Sequence, residues 1–226
     1  LIGAWEAAGD RRAIFLSCYV MMTRNMLAAI EAGDFHDPPW VHDLLERFAG
    51  YYLVALERAD ANDPATPAVW RLAFDSFPSS HSHVMQNLLL GINAHINYDL
   101  VLCLSDLLST EWSELSPASR QLRYEDHCHV NNIIAATIDA VQDQIVERYA
   151  PLMAVVDVAM GPIDEWLVRR LIVHWRDEVW QHTMRRLALP DDAAREADRI
   201  RIEEDGVALG HLIRLQKIIS SLDELM

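Results

Sequence analysis

The chain has 226 residues, a 51% hydrophobic fraction and a formal net charge of −15, which suits one large helical domain or two small ones sharing an interface. That charge argues against binding nucleic-acid phosphates, which require clusters of Lys and Arg, and against an anionic membrane surface. Among 19 basic residues only Lys217 is a lysine, an Arg-over-Lys bias that matches GC-rich codon usage.

Proline and glycine punctuation predicts about eight helical stretches. The first runs from Asp10 to Ala32 and ends at Gly33; its apolar run AIFLSCYVMM (13–22) is too short to span a bilayer and has charged flanks. Asp37, Pro38 and Pro39 open a second helix, an acceptor at the cap followed by proline in the first turn, and this helix continues to Ala61. ANDPATP (61–67) reads as a turn and Val69–Phe77 as a short helix stopped by Pro78. Ser79, Ser80 and Ser82 offer caps for a central helix that extends to Leu108. After the connector at 109–119, a long helix covers Ser119 to Tyr149, and Pro151 and the apolar piece LMAVVDVAM (152–160) follow. Gly161 and Pro162 open another long helix, closed before Pro190. The last helix starts at Asp191, with Gly206 and Gly210 as weak points. No strand-like alternation persists. The expected architecture is all-α, a compact single-domain bundle with the 82–108 helix buried at its centre, a core over 1–190, and a charged-to-apolar helix over 191–226 packing on it.

Leucines and isoleucines surround Asn93, His95, Asn97, Asp99 and Asp106 in NLLLGINAHINYDLVLCLSD (87–106). A helix apolar on nearly every side is normally buried, and each buried polar side chain without a partner costs roughly 1–3 kcal/mol. Several of them on one helix therefore imply an internal polar network or a site. On a regular helix His95, Asp99 and Asp106 fall within about 40° of one another. Gly91 on the same side would let another element approach. His95 and Asp99, at i and i+4, can hydrogen-bond, and a carboxylate beside an imidazole gives an oriented acid/base group. Asn93 and Asn97 pair on the opposite face. A purely structural network is the competing explanation of all five.

Other polar groups carry weaker signals. Tyr124, His127, Asn131 and Gln142 line one edge of the 119–149 stripe as boundary residues meeting a partner helix; alternatively, Asn131 and Gln142 face the His95 cluster and orient a ligand. His174, Glu178 and His182 form an i, i+4, i+8 row, but no Glu-x-x-His pair of the kind used in di-iron bundles occurs. His83 lies about 18 Å along the axis from His95, so the two cannot share an ion. Cys18, Cys103 and Cys128 are an odd, widely spaced set that reads as reduced thiols of a cytosolic protein. No G-x-S-x-G elbow, P-loop, dinucleotide fingerprint or H-E-x-x-H motif is present. No metal or cofactor is expected.

NLLLGINAHINYDL (87–100) resembles the signature of the bacterial domain of unknown function family 5995. GDRRAIFLSCYVMMTR (9–24), FHDPPWVHDLLERFAGYYLVAL (35–56), DHCHVNNIIAATIDAVQDQI (126–145) and RDEVWQHTMRRL (176–187) fit the same pattern in order. The resemblance implies an all-helical bacterial protein, with a histidine in relatives where this chain has Asn87, and it supplies no catalytic residues. The expected function is that of a cytoplasmic small-molecule enzyme, set in secondary metabolism. His95, oriented by Asp99, acts as acid/base in a cyclisation, isomerisation or hydrolysis of a largely apolar substrate positioned by Tyr19, Asn131 or Gln142. The alternatives are a non-catalytic ligand- or partner-binding helical protein and a His/carboxylate metalloenzyme. The expected partners are a small apolar molecule and, as a homodimer, a second copy of the chain; nucleic acid and membrane are not expected.

Overall fold

The computed structural model describes residues 1–77, 84–141 and 165–223. Among these residues there are eight helices and no strand. They are α1 (Ile2–Ala7), α2 (Arg12–Ala32), α3 (Pro38–Asp60), α4 (Ala68–Ser76), α5, α6 (Pro117–Val141), α7 (Glu165–Leu187) and α8 (Asp192–Asp223). Helix α5 is one rod in three segments: Val84–Asn93, a π-helical Ala94–Leu100, and Val101–Ser109.

The helix ends follow local chemistry. Gly33 adopts a left-handed φ of 78°, and Asp34 N–H reaches back to the Ala29 carbonyl, a glycine-terminated helix end. Asp37 accepts from Trp40 N–H at 3.1 Å with prolines in the first turn of α3. Buried Asp126 of α6 fixes the same corner by accepting from the backbone N–H groups of His36 and Asp37 at 2.7 and 3.0 Å. Helix α1 has no counterpart in the sequence pattern; Trp5, buried and covered by the Arg12 guanidinium at 4.7 Å, holds it down.

Helix α5 is the axis of the fold. Helices α2, α3, α4, α7 and α8 all pack against it, and α6 lies across α2 and α7. Helix α8 runs unbroken through Gly206 and Gly210. They are points of close approach: a Cβ on Gly210 would stand 2.6 Å from Leu72 Cδ2, and one on Gly206 3.2 Å from Val69 Cγ2. Helix α8 thereby lies directly on α4 and α5, with Ile202 in the core.

Two stretches, Arg12–Ala32 and Gln86–Ser109, are long and apolar enough to cross a membrane by length and composition. The second is 83% buried inside the fold, the first 33%. The apolar run 13–22 thus belongs to a helix longer than the run itself.

Candidate functional site around His95

His95 and Asp99 sit in the π-helical segment of α5, both buried, at 4% and 1% exposure. His95 Nδ1 lies 3.0 Å from Asp99 Oδ2, and the Trp70 indole N–H of α4 donates to that same oxygen at 2.9 Å. Indole nitrogen can only donate, so two N–H groups converge on one carboxylate oxygen when Nδ1 carries the imidazole proton. Burial holds the His95 imidazole below its ordinary pKa, against the pull of Asp99. Burial also pushes the Asp99 carboxyl up, while the His95 and Trp70 hydrogen bonds oppose that rise. The arrangement these contacts favour is a neutral His95 with Nδ1–H donating to Asp99 and a lone pair on Nε2.

Among the described residues that buried Nε2 has no hydrogen-bond partner. Aromatic rings enclose the imidazole. Phe48 of α3 stacks on it at 3.6 Å and 10°, and Tyr19 of α2 stands perpendicular at 4.8 Å. Phe15, Tyr52 and Trp70 follow at 6.0–6.1 Å. The Tyr19 hydroxyl is also buried, and burial raises its pKa against the opposing effect of the Thr23 hydroxyl, so it stays protonated. The site therefore offers a fixed neutral base and a protonated phenol inside apolar walls.

Gly91 gives Phe15 its place, since a Cβ there would stand 2.7 Å from Phe15 Cγ. One turn further back, Asn87 is completely buried, and neither of its amide atoms has a partner among the described residues. Asn93 and Asn97 behave differently. Asn97 donates to Asn93 Oδ1 at 3.0 Å, and Asn93 Nδ2 donates to the Gly206 carbonyl of α8 at 2.8 Å, so this pair ties two helices together. Asp106 does not join the His95–Asp99 pair: it is exposed and accepts from the Tyr51 hydroxyl of α3, one turn along from the Phe48 that stacks on His95.

Asn131 meets α7 rather than the His95 rings, accepting from Arg176 Nε at 2.8 Å. Arg176 is buried, donates Nη2 to the His127 carbonyl at 2.7 Å, and receives the His127 Nε2–H on its own carbonyl at 3.1 Å. Burial, followed by the neighbouring Arg176 charge, holds His127 well below its ordinary pKa, and the carbonyl partner places its proton on Nε2. Burial likewise lowers Arg176 to about 10. Gln142 lies outside the described residues. Of the sequence-derived set, the structure brings together His95, Asp99 and Tyr19, and it places Asn131 elsewhere. Trp70, Phe48 and Asn87 are the additions; the first two come from other helices with no spacing relation to His95.

The row His174, Glu178, His182 does not converge on one point. His174 faces Glu178 at 3.7 Å on the exposed side, while His182 meets Asp198 of α8 at 3.3 Å. Among the described residues no three His, Cys, Asp or Glu side chains come together in a metal-binding group.

The family of unknown function DUF5995 matches residues 1–216, and the chain belongs to that family. No curated protein and no solved structure matches it.

Proposed function

We propose that this DUF5995 member is a small-molecule enzyme in which His95 moves a proton on a largely apolar substrate. The observation that carries this is the unpartnered, buried Nε2 of an imidazole whose other nitrogen is fixed by Asp99, itself fixed by Trp70. A buried lone pair without a donor is costly in a resting fold and useful to a base that needs no reorganisation before reaction. As general base, Nε2 takes a proton from substrate, and Asp99 stabilises the imidazolium that forms. As general acid, it returns the proton at a second position. Cyclisation, isomerisation and hydrolysis all fit this cycle, with Tyr19 placing the substrate's polar group. The three cysteines are free thiols, which supports a reducing, cytoplasmic setting. The Arg-rich composition supports a GC-rich bacterial source, in keeping with secondary metabolism.

A non-catalytic ligand-binding protein is the second reading. It is favoured by the uncharged aromatic sheath, which can hold an apolar ligand without reacting with it.

The test is turnover. Purified protein is incubated with small-molecule extracts, and consumption and formation of compounds are followed by mass spectrometry. His95→Gln should slow the conversion by about 10²–10⁴-fold, the usual contribution of general acid–base catalysis, with the fold intact. Asp99→Asn should slow it less. Unaltered turnover by well-folded His95→Gln protein would refute catalysis at this site.

A further inference from the structure

Where the start of α6 meets α7, an open groove of about 470 Å³ is lined by Trp112, Arg120, Tyr124, Asp177, Trp180 and Met184. Its size falls within the range of small-ligand pockets. The floor is aromatic: the Trp180 ring meets Trp112 at 6.1 Å and 74°, and Tyr124 at 5.3 Å and 50°. Two opposite charges stand on its walls. Arg120 is fixed there, with Nε and Nη2 donating to the Trp112 carbonyl at 3.0 and 2.7 Å and the guanidinium lying 5.1 Å over the Trp112 ring. That carbonyl orients the guanidinium without neutralising it. Among the described residues no carboxylate forms a salt bridge with Arg120 and no basic side chain forms one with Asp177, although both line the same groove.

A ligand with a single charge would match one wall and leave the other uncompensated. A ligand with both charges and an apolar body matches the walls and the floor at once. We propose that this groove binds an α-amino acid with an apolar side chain. Its ammonium sits against Asp177 and its carboxylate against Arg120, in charge-assisted hydrogen bonds, and its side chain lies on the rings of Tyr124 and Trp180. This assignment is independent of any role for His95.

The experiment follows the indole N–H resonances of Trp112 and Trp180, assigned with single Trp→Phe variants, while ¹⁵N-labelled protein is titrated with three probes. These are L-leucine, isopentylamine, which lacks its carboxylate, and 4-methylpentanoate, which lacks its ammonium. Leucine should shift both indoles, and each charge-deleted probe should bind about tenfold more weakly, as expected when one charged contact is lost. Arg120→Gln should weaken leucine binding but leave isopentylamine unaffected. Asp177→Asn, which touches no backbone carbonyl and so tests the proposal even if Arg120→Gln unfolds, should weaken leucine and spare 4-methylpentanoate. Equal binding of leucine and either charge-deleted probe overturns the proposal. So does an absence of shift at both indoles with leucine at about 20 mM, above the roughly millimolar constants of weak sites.

Discussion

Asn87 and Asn93 are the same residue type, six positions apart on one buried helix, and replacing each by leucine should move stability in opposite directions. Asn87 is fully buried with neither amide atom engaged. Asn87→Leu removes an unsatisfied polar group, worth about 1–3 kcal/mol, and puts a side chain of similar size in an apolar surround. A gain of about 2 kcal/mol is expected, which for a chain of this length raises Tm by about 4–8 °C. Asn93, by contrast, donates to the Gly206 carbonyl and accepts from Asn97. Asn93→Leu strands both partners and should cost about 1–3 kcal/mol. The two variants should therefore differ by about 4 kcal/mol in urea denaturation followed by circular dichroism. A loss of stability in Asn87→Leu comparable to that in Asn93→Leu would show that Asn87 is satisfied in the native protein, and the claim that α5 carries an unused polar group would fail. Confirmation would mean that the fold keeps Asn87 at the expense of stability, as proteins do at functional positions.

Acid should destabilise the fold through two histidines. Burial keeps His95 and His127 below their ordinary pKa in the folded chain, whereas the unfolded chain takes up both protons near pH 6.5. Stability should thus be flat in these groups above about pH 6.5 and fall below it, by up to about 1.4 kcal/mol per pH unit for each histidine. Urea midpoints at about pH 7 and pH 5.5 measure the slope, and an unchanged midpoint contradicts it; Asp99, raised by burial, contributes an opposite slope at lower pH. Gly91→Ala should cost about 1–3 kcal/mol, because the added methyl collides with the Phe15 ring; an alanine variant as stable as the parent in the same melt would show that Phe15 moves aside freely. Asp126→Ala frees the His36 and Asp37 N–H groups at the start of α3 and should lower stability by about 1–3 kcal/mol, with faster amide exchange at those two residues as the local signature.

Much of the fold was legible because helix ends are written in short-range chemistry. Gly33 and the Asp37-Pro38-Pro39 start each need only their own neighbours to act. Helix α1 was not legible: six residues are too few to show a period, and what holds it is Trp5 under Arg12. Gly206 and Gly210 looked like flaws because propensity counts only the helix itself. Their reason lies in Val69, Leu72 and Asn93, which occupy the space that side chains would fill. The His95–Asp99 contact was legible as an i, i+4 pair. Trp70 and Phe48 were not, since α4 and α3 bring them in from positions with no sequence relation to the pair. Asn131 sat on a buried edge as its pattern required, but which helix it met depended on Arg176.

The one misplaced carboxylate says most about how α5 is built. Regular helical phase puts Asp106 beside His95 and Asp99, yet it reaches solvent and Tyr51. His95 and Asp99 lie within the π-helical segment 94–100, whose i→i+5 bonding widens the turn, whereas Asp106 lies in the regular helix that follows it. Leu104, Leu107 and Leu108 then face the core, and the helix leaves one carboxylate, not two, near the imidazole. A second buried carboxylate would repel Asp99 and favour a shared proton. With Asp106 outside, Asp99 faces His95 and Trp70 alone and can hold the imidazole in one tautomer. Asp99 and Trp70 together thus leave His95 Nε2 as an unengaged base in an aromatic enclosure, the arrangement on which the proposed proton transfer rests.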